Sequence, residues 1–191
     1  MERRKALGRI LLAGIGGILA FGSYKWYDWN KTPDIPWLEQ KKELLTALAD
    51  TILPTTNTPG ARAAGIQDIM IAFLKDCTER RTQNEFISGL EDLEDYCLSA
   101  YHSSFSQASE ETRIAVLSYF EKKDKPLPGI WGKAAGRYLG KPFFTTLKEY
   151  TVKAYCTSEQ GATLGLRYEA VPGSYHGCLP WLEGQRAWAT K

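Results

Sequence analysis

A chain of 191 residues and 21.4 kDa fits one domain, since domains run to roughly 100–200 residues, and 43% hydrophobic against 24% charged residues is the balance of a folded protein, not a disordered one. The formal charge of +2 is concentrated at the N-terminus, where Arg3, Arg4, Lys5 and Arg9 stand against Glu2, so that 20 basic residues face 21 acidic ones from Ser23 onward. No basic surplus is left there to neutralise phosphates, which speaks against a nucleic-acid partner.

The first predicted element, MERRKALGRILLAGIGGILAFGS, is a basic head followed by an apolar run from Ile10 to Gly22, the layout of an export signal. The run is shorter than the roughly 20 residues a spanning helix needs, and the five glycines between Gly8 and Gly22 weaken helix formation. Arg3 and Arg4, with Leu7 three positions after Arg4, resemble a twin-arginine signal, the kind read by a translocase that exports folded proteins. Glu2 stands where such signals usually carry Ser or Thr, and Ala6 where they carry a large apolar residue. Ala20-Phe21-Gly22 offers a small-x-small cleavage pattern. Tyr24, Trp26, Tyr27 and Trp29 follow at once, and such rings favour a membrane–water interface, which suits a retained N-terminal anchor. A buried N-terminal helix is the remaining alternative. Residues 1–22 are thus read as export signal or anchor, 23–37 as a linker marked by Pro33 and Pro36, and 38–191 as a helical domain.

Beyond the linker, helix follows helix. Leu38, Leu45, Leu48 and Ile52 fall on one helical face, and Pro54 ends that helix. Ile66, Ile69, Met70, Phe73, Leu74 and Cys77 repeat the pattern, and Phe86, Leu90, Leu93, Cys97, Leu98 and Tyr101 repeat it again. Ser109 with Glu110 and Glu111 marks a capped start with acids at the positive end of the helix dipole, leading into Ile114, Leu117 and Phe120. Residues 122–140 read as a loop rich in Lys, Pro and Gly, whose Leu127, Ile130 and Trp131 either fold back into the core or enter a partner's groove. Pro142 opens a last helix through Phe143, Leu147, Tyr150 and Ala154. There is no convincing alternating strand and no internal repeat. The fold class is all-α, a compact domain of about five helices ending in an irregular Gly/Pro-rich tail.

Catalytic signals are sparse. The two histidines, His102 and His176, cannot make a three-His zinc site, and the four cysteines show no C-x-x-C spacing, so neither a metal nor covalent haem is signalled. His102, beside Tyr101, is read as a structural or surface residue. No nucleotide-cradling glycine motif follows a strand or precedes a lysine. A hydrolase would need Ser158 as nucleophile, His176 as base and Glu159 as orienter, but Ser158 lacks the G-x-S-x-G elbow, and adjacent residues are poorly placed to take both ends of a relay. Cys156 with Cys178, or Cys77 with Cys97, can form disulfides in an oxidising compartment, although burial on apolar helix faces is the better reading for Cys77 and Cys97. The acidic run Glu91, Asp92, Glu94 and Asp95 reads as a solvated helix face.

Two stretches carry a family resemblance. ADTILPTTNTPGARAAG, from Ala49 to Gly65, is one. The other is the segment with TSE-x-GAT from Thr157, Leu166-x-Tyr168, and VPG-x-Y-x-GC-x-P from Val171 to Pro180. In this order, behind a twin-arginine-like leader, they resemble the gluconate 2-dehydrogenase subunit 3 family over roughly residues 45–180. The resemblance implies a small subunit without catalytic residues, cofactor or metal of its own. Its expected partner is a larger flavoprotein of the glucose–methanol–choline oxidoreductase type, which carries FAD, oxidises a sugar or sugar acid, and often passes electrons to a cytochrome c. The small subunit supplies the export signal for a flavoprotein that lacks one, and supports its maturation, which places both in the periplasm with attachment to the inner membrane through the N-terminus as an option. The motif residues Thr157, Ser158, Glu159, Gly161, Tyr168, Pro172, Gly173, Tyr175, Gly177, Cys178 and Trp181 become the expected docking surface, the glycines and prolines breaking regular structure and the rings supplying rigid contact area. The competing possibility is a tail that wraps its own helices. A membrane-tethered helical scaffold without a redox partner, and a self-sufficient enzyme acting through Ser158 and His176, are the alternatives from other classes.

Overall fold

The structure is a computed structural model, and it describes residues 22–23, 26–27, 29–125, 141–171, 173–174, 177–178 and 180–189. Among the described residues from Ile35 onward, six α-helices follow one another: α1 Ile35–Gln40, α2 Lys42–Ile52, α3 Ile66–Asp76, α4 Arg80–Tyr101, α5 Glu110–Lys123 and α6 Phe143–Thr157. A 3₁₀ turn at Phe105–Gln107 joins α4 to α5, and a π-helical turn at Gly161–Gly165 follows α6. The all-α expectation stands, with five helices longer than two turns and no strand among the described residues. None of the described helices is long and apolar enough to cross a membrane.

Helix α6 lies against α3, α4 and α5, while α2 packs on α3 and on the 3₁₀ turn. Their inward faces close one core, built from Leu45, Leu48, Ile66, Met70, Leu74, Phe86, Leu90, Leu93, Phe105, Val116, Phe120 and Leu147. Phe143 tilts between Phe86 (5.4 Å between centroids) and Phe120 (6.0 Å), tying α6 to α4 and α5. Burying each such side chain stabilises by roughly 1.5–3 kcal/mol. The Lys42–Asp68 and Lys123–Asp92 pairs are solvent-exposed on both sides and therefore screened, so packing decides the fold.

The helix ends are closed by specific side chains. Asp34 Oδ1 accepts the Trp37 N–H at 2.9 Å to start α1, and Ser109 Oγ accepts the Thr112 N–H at 3.3 Å to start α5, as the sequence predicts. The buried Gln83 amide donates to the Leu74 and Lys75 carbonyls at the end of α3. Helix α6 has no capping side chain of its own at Pro142. Asp124, at the end of α5, reaches across to accept the Phe144 N–H at 2.6 Å, although burial pushes its carboxyl above the ordinary range.

Four expectations need correction. The stretch Leu38–Ile52 is two helices hinged at Lys41, whose ammonium bonds Glu94 on α4 at 2.5 Å and lies over the Trp37 ring. Cys77 caps the end of α3 and is exposed, because the helix stops before its face returns to the core. Leu98 and Tyr101, at the end of α4, extend past the core and are exposed, and His102 ends that helix in the left-handed region (φ 52°). Ile114 is exposed too, since α5 buries Val116, Leu117 and Phe120 instead. In the acidic run, Glu91, Asp92 and Asp95 face solvent and Glu94 is half-buried in its bond to Lys41.

Candidate functional site: a motif junction and an open loop

The two motif stretches meet at Tyr155. This α6 residue donates its hydroxyl to the Pro59 carbonyl at 2.7 Å, bridging 96 positions of sequence. On the Pro59 side, the Ala61 N–H bonds the Leu53 carbonyl at 2.9 Å and Ala61 is fully buried, so the loop after α2 is pinned under the end of α6. On the Thr157 side, the chain turns back tightly over Tyr155 itself. Ser158 Oγ donates to the Tyr155 carbonyl (2.8 Å) and accepts the Gly161 N–H (3.0 Å), while the Leu166 N–H closes on the Gly161 carbonyl (2.9 Å). A Cβ at Gly161 would lie 1.9 Å from the Tyr155 carbonyl oxygen, and one at Gly165 would lie 2.4 Å from the Tyr155 hydroxyl. Glycine is required at both places because the backbone passes there at contact distance.

Ser158 is therefore a buried cap. Its proton and one of its two lone pairs are engaged by backbone groups, and the residue is buried, which leaves it poorly placed to attack a substrate. Thr157 and Glu159 are exposed beside it; the Thr157 hydroxyl bonds back to Lys153, and the Glu159 carbonyl accepts from Thr163. Among the described residues no group of three or more His, Cys, Asp or Glu is placed to hold a metal ion.

Past the π turn the chain forms a loop braced at its base. Arg167 pairs with the segment Ala187–Ala189, its N–H bonding the Ala187 carbonyl (2.8 Å) and its carbonyl accepting the Ala189 N–H (2.9 Å). The Arg167 guanidinium lies 4.1 Å from the centre of the Trp188 ring and pairs with Glu169, and Arg186 Nη1 donates to the Leu164 carbonyl at 2.7 Å. Between these braces the described apolar side chains point outward: Tyr168 is 48% exposed, Val171 86%, Trp181 78% and Leu182 66%. Gly173, Gly177 and Cys178 are exposed with them. A groove of about 480 Å³ opens at the base between Tyr168 and Leu182, with Thr163, Gln185 and Arg186 on its walls. The described part of the tail does not bury its rings on the helices. Pro172, Tyr175 and His176 lie outside the described residues, as do Arg3, Arg4 and Leu7 of the leader and Leu127, Ile130 and Trp131 of the loop before α6.

All four cysteines are free thiols, and the structure does not join Cys156 to Cys178. Cys97 is buried on the inward face of α4, and burial together with the nearby Glu94 carboxylate pushes its thiol up to about 11. Because the thiolate is the nucleophile, iodoacetamide at pH 8 is expected to alkylate the exposed Cys77 and Cys178 in the native chain and to reach Cys97 only after denaturant. Intact mass with and without guanidinium checks this; native alkylation of Cys97 at the rate of Cys178 would contradict its burial.

Sequence reasoning singled out the glycines, Ser158, Tyr168 and Trp181, but missed Tyr155 and Arg167. Neither sits in a motif position that was singled out, and their partners are remote in sequence. A family model described as gluconate 2-dehydrogenase subunit 3 matches residues 39–173, well over half of the chain, and contains Tyr155, Pro59 and the π turn. Trp181, Leu182 and the closing segment at Ala187–Ala189 lie beyond the matched residues. No curated protein and no solved structure matches the chain.

Proposed function

Because the chain belongs to the gluconate 2-dehydrogenase subunit 3 family and so to the subunits of a dehydrogenase complex, we propose that it is the non-catalytic small subunit of a periplasmic, FAD-dependent sugar or sugar-acid dehydrogenase. The large flavoprotein subunit binds FAD and carries the reaction, with a cytochrome c as a suitable electron acceptor. The small subunit brings the twin-arginine-like leader for the translocase and docks the flavoprotein through its C-terminal loop. The observation that carries the docking is the loop itself. Its base is held by two backbone bonds, an arginine stacked on Trp188 and a bond from Arg186, yet its apolar residues are left in solvent. A loop braced at its base while Tyr168 and Trp181 stay exposed lowers the entropic cost of binding through them, and Tyr and Trp in such positions dominate interface energies. Ser158, the one candidate nucleophile, is consumed in a structural cap, which supports a partner role over a catalytic one.

Affinity purification of the tagged chain from native membrane and periplasmic fractions, followed by an absorption spectrum, tests this. A stoichiometric flavin spectrum with a larger companion is expected, and a colourless chain purifying alone would sink the proposal. The double variant Trp181→Ala/Leu182→Ala is expected to keep its melting temperature, because both side chains are exposed, and to lose the flavoprotein from the purification. An interface hot spot costs about 2 kcal/mol or more when truncated, roughly a thirty-fold loss of affinity for each such residue.

A further inference from the structure

The exposed apolar side chains of the C-terminal loop are too little surface to hold a partner by themselves. Tyr168, Val171, Trp181 and Leu182 together expose on the order of 500 Å², counting a whole aromatic ring as roughly 150–250 Å². A stable interface takes about 800 Å² from each partner, so a flavoprotein seated on the loop covers neighbouring surface as well. The neighbour joined to the loop is the braced stretch after α2. The groove beside Tyr168 reaches Thr163, and two residues on, Gly165 lies against the Tyr155 hydroxyl, which in turn bonds the Pro59 carbonyl. Next to Pro59, Gly60 lies against Thr55, where an added Cβ would stand 2.6 Å from both N and Oγ1. The Thr56 N–H closes the stretch on the Thr58 carbonyl at 3.1 Å. Pro54 and Thr55 line a second cleft of about 400 Å³, together with Asp50 near the end of α2 and Glu110, Arg113 and Ile114 at the start of α5.

The lining of this cleft selects its occupant. Ile114 is 50% exposed and Pro54 is exposed with it, an apolar surface for an alkyl stem. The charged groups are unequally engaged. Arg113 turns its guanidinium onto the Phe105 and Ser106 carbonyls, and Asp50 Oδ2 pairs with Arg62 at 3.2 Å. Glu110 is exposed and has no ion-pair partner among the described residues. An unmatched carboxylate beside an apolar floor is the complement of a Lys or Arg side chain, which packs its stem on apolar surface and keeps its head polar. We propose that this cleft is a second docking point for the flavoprotein, entered by a lysine or arginine side chain of that partner. The inference rests on the accessory-subunit reading above and extends its docking face across the Tyr155–Pro59 junction to the start of α5. Tyr155 is then a positioning residue, because one hydroxyl ties the turn that launches the loop to the stretch that lines the cleft. Two docking points held in fixed relation make engagement of the second an intramolecular event once the first is made.

Recovery of the flavoprotein with the tagged full chain, read as flavin absorbance per mole of chain over a dilution series, tests this beside thermal melts. Ile114→Arg is expected to keep its melting temperature, because the side chain is half exposed and Arg is a good helix former, and to lower affinity for the flavoprotein at least roughly tenfold. Glu110→Gln is expected to weaken binding about threefold, an effect that high salt removes. Leu98→Arg is the control, since Leu98 is exposed at the end of α4 and lines neither cleft, and wild-type recovery is expected. Ile114→Ala, which removes the apolar floor without adding charge, carries the test if Ile114→Arg fails to fold, with a loss of about threefold expected. A folded Ile114→Arg chain that binds like the wild type overturns the inference and leaves the accessory-subunit reading standing, as does an equal loss from Leu98→Arg. An unchanged affinity of Glu110→Gln at low salt overturns the cationic occupant. A wild-type chain that brings no flavoprotein fails the accessory-subunit reading and this inference with it.

Discussion

Gly161→Ala is expected to cost about 3 kcal/mol, the upper part of the range for overpacking, and to lower the melting temperature by several degrees while freeing the C-terminal loop. The added Cβ would stand 1.9 Å from the Tyr155 carbonyl oxygen and 2.7 Å from Ser158 Oγ. The first contact is with backbone, so no side-chain rotation relieves it. The chain must instead open the turn between Ser158 and Leu166, which breaks the Ser158–Gly161 bond and loosens Tyr155, the residue that holds Pro59. Gly165→Ala is the milder neighbour. Its Cβ meets the tip of the Tyr155 ring, which can move, but only by giving up its bond to Pro59, a net loss of roughly 1 kcal/mol beyond the strain. Gly173→Ala is the control, because a Cβ there meets nothing within 4 Å and the change is expected to stay within about 0.5 kcal/mol. All three glycines belong to the same motif region. If Gly173→Ala leaves melting untouched but weakens recovery of the flavoprotein, that glycine serves a partner and not this fold. Thermal melts of the three variants decide the ranking; a Gly161→Ala chain that melts like the wild type would remove the junction from the account.

Much of the helical body was legible in the sequence, for a physical reason. Burial of one helix face imposes the apolar spacing seen in Ile66, Met70 and Leu74 and again in Phe143, Leu147 and Ala154, and a pattern forced by packing can be read back. The errors fall where packing stops. Cys77, Leu98 and Tyr101 continue the spacing past the edge of the core, and periodicity carries no mark of where neighbouring helices end. The hinge at Lys41 was hidden because α1 and α2 both keep their apolar residues inward across it, and the bond from Lys41 to Glu94 that accompanies it is tertiary. The candidate site was half legible. Its motif residues stood out as a cluster of Gly, Ser and rings, yet the serine invited a chemical reading that only its two backbone bonds dispel. Tyr155 and Arg167 act through partners 96 and 20 or more positions away, and local pattern holds no trace of such bonds.

Replacing Arg3 and Arg4 together by lysine is expected to strand this chain and its flavoprotein in the cytoplasm while leaving the helical domain's melting temperature unchanged. The charge is the same before and after, so a leader acting only as a basic head would tolerate the change. A translocase that reads paired guanidinium groups would not, because Lys offers a compact point charge where Arg offers a planar fork of donors. Loss of export therefore separates twin-arginine recognition from a generic basic head. The flavoprotein's fate separates it further from a chain that merely travels alone. Under the proposed function the partner has no signal of its own, so sugar-oxidising activity in the periplasm is expected to fall to background together with this chain, and to reappear as soluble activity in the cytoplasm. Activity in fractionated cells and the intact mass of the chain in each fraction are the readouts. A periplasm that keeps its flavoprotein while the lysine variant stays inside would show that the two proteins cross independently, and the role of this subunit would then lie in docking at the membrane and not in carriage. Single Arg3→Lys or Arg4→Lys changes are expected to fall between the two extremes, since one guanidinium fork is left for the translocase to read.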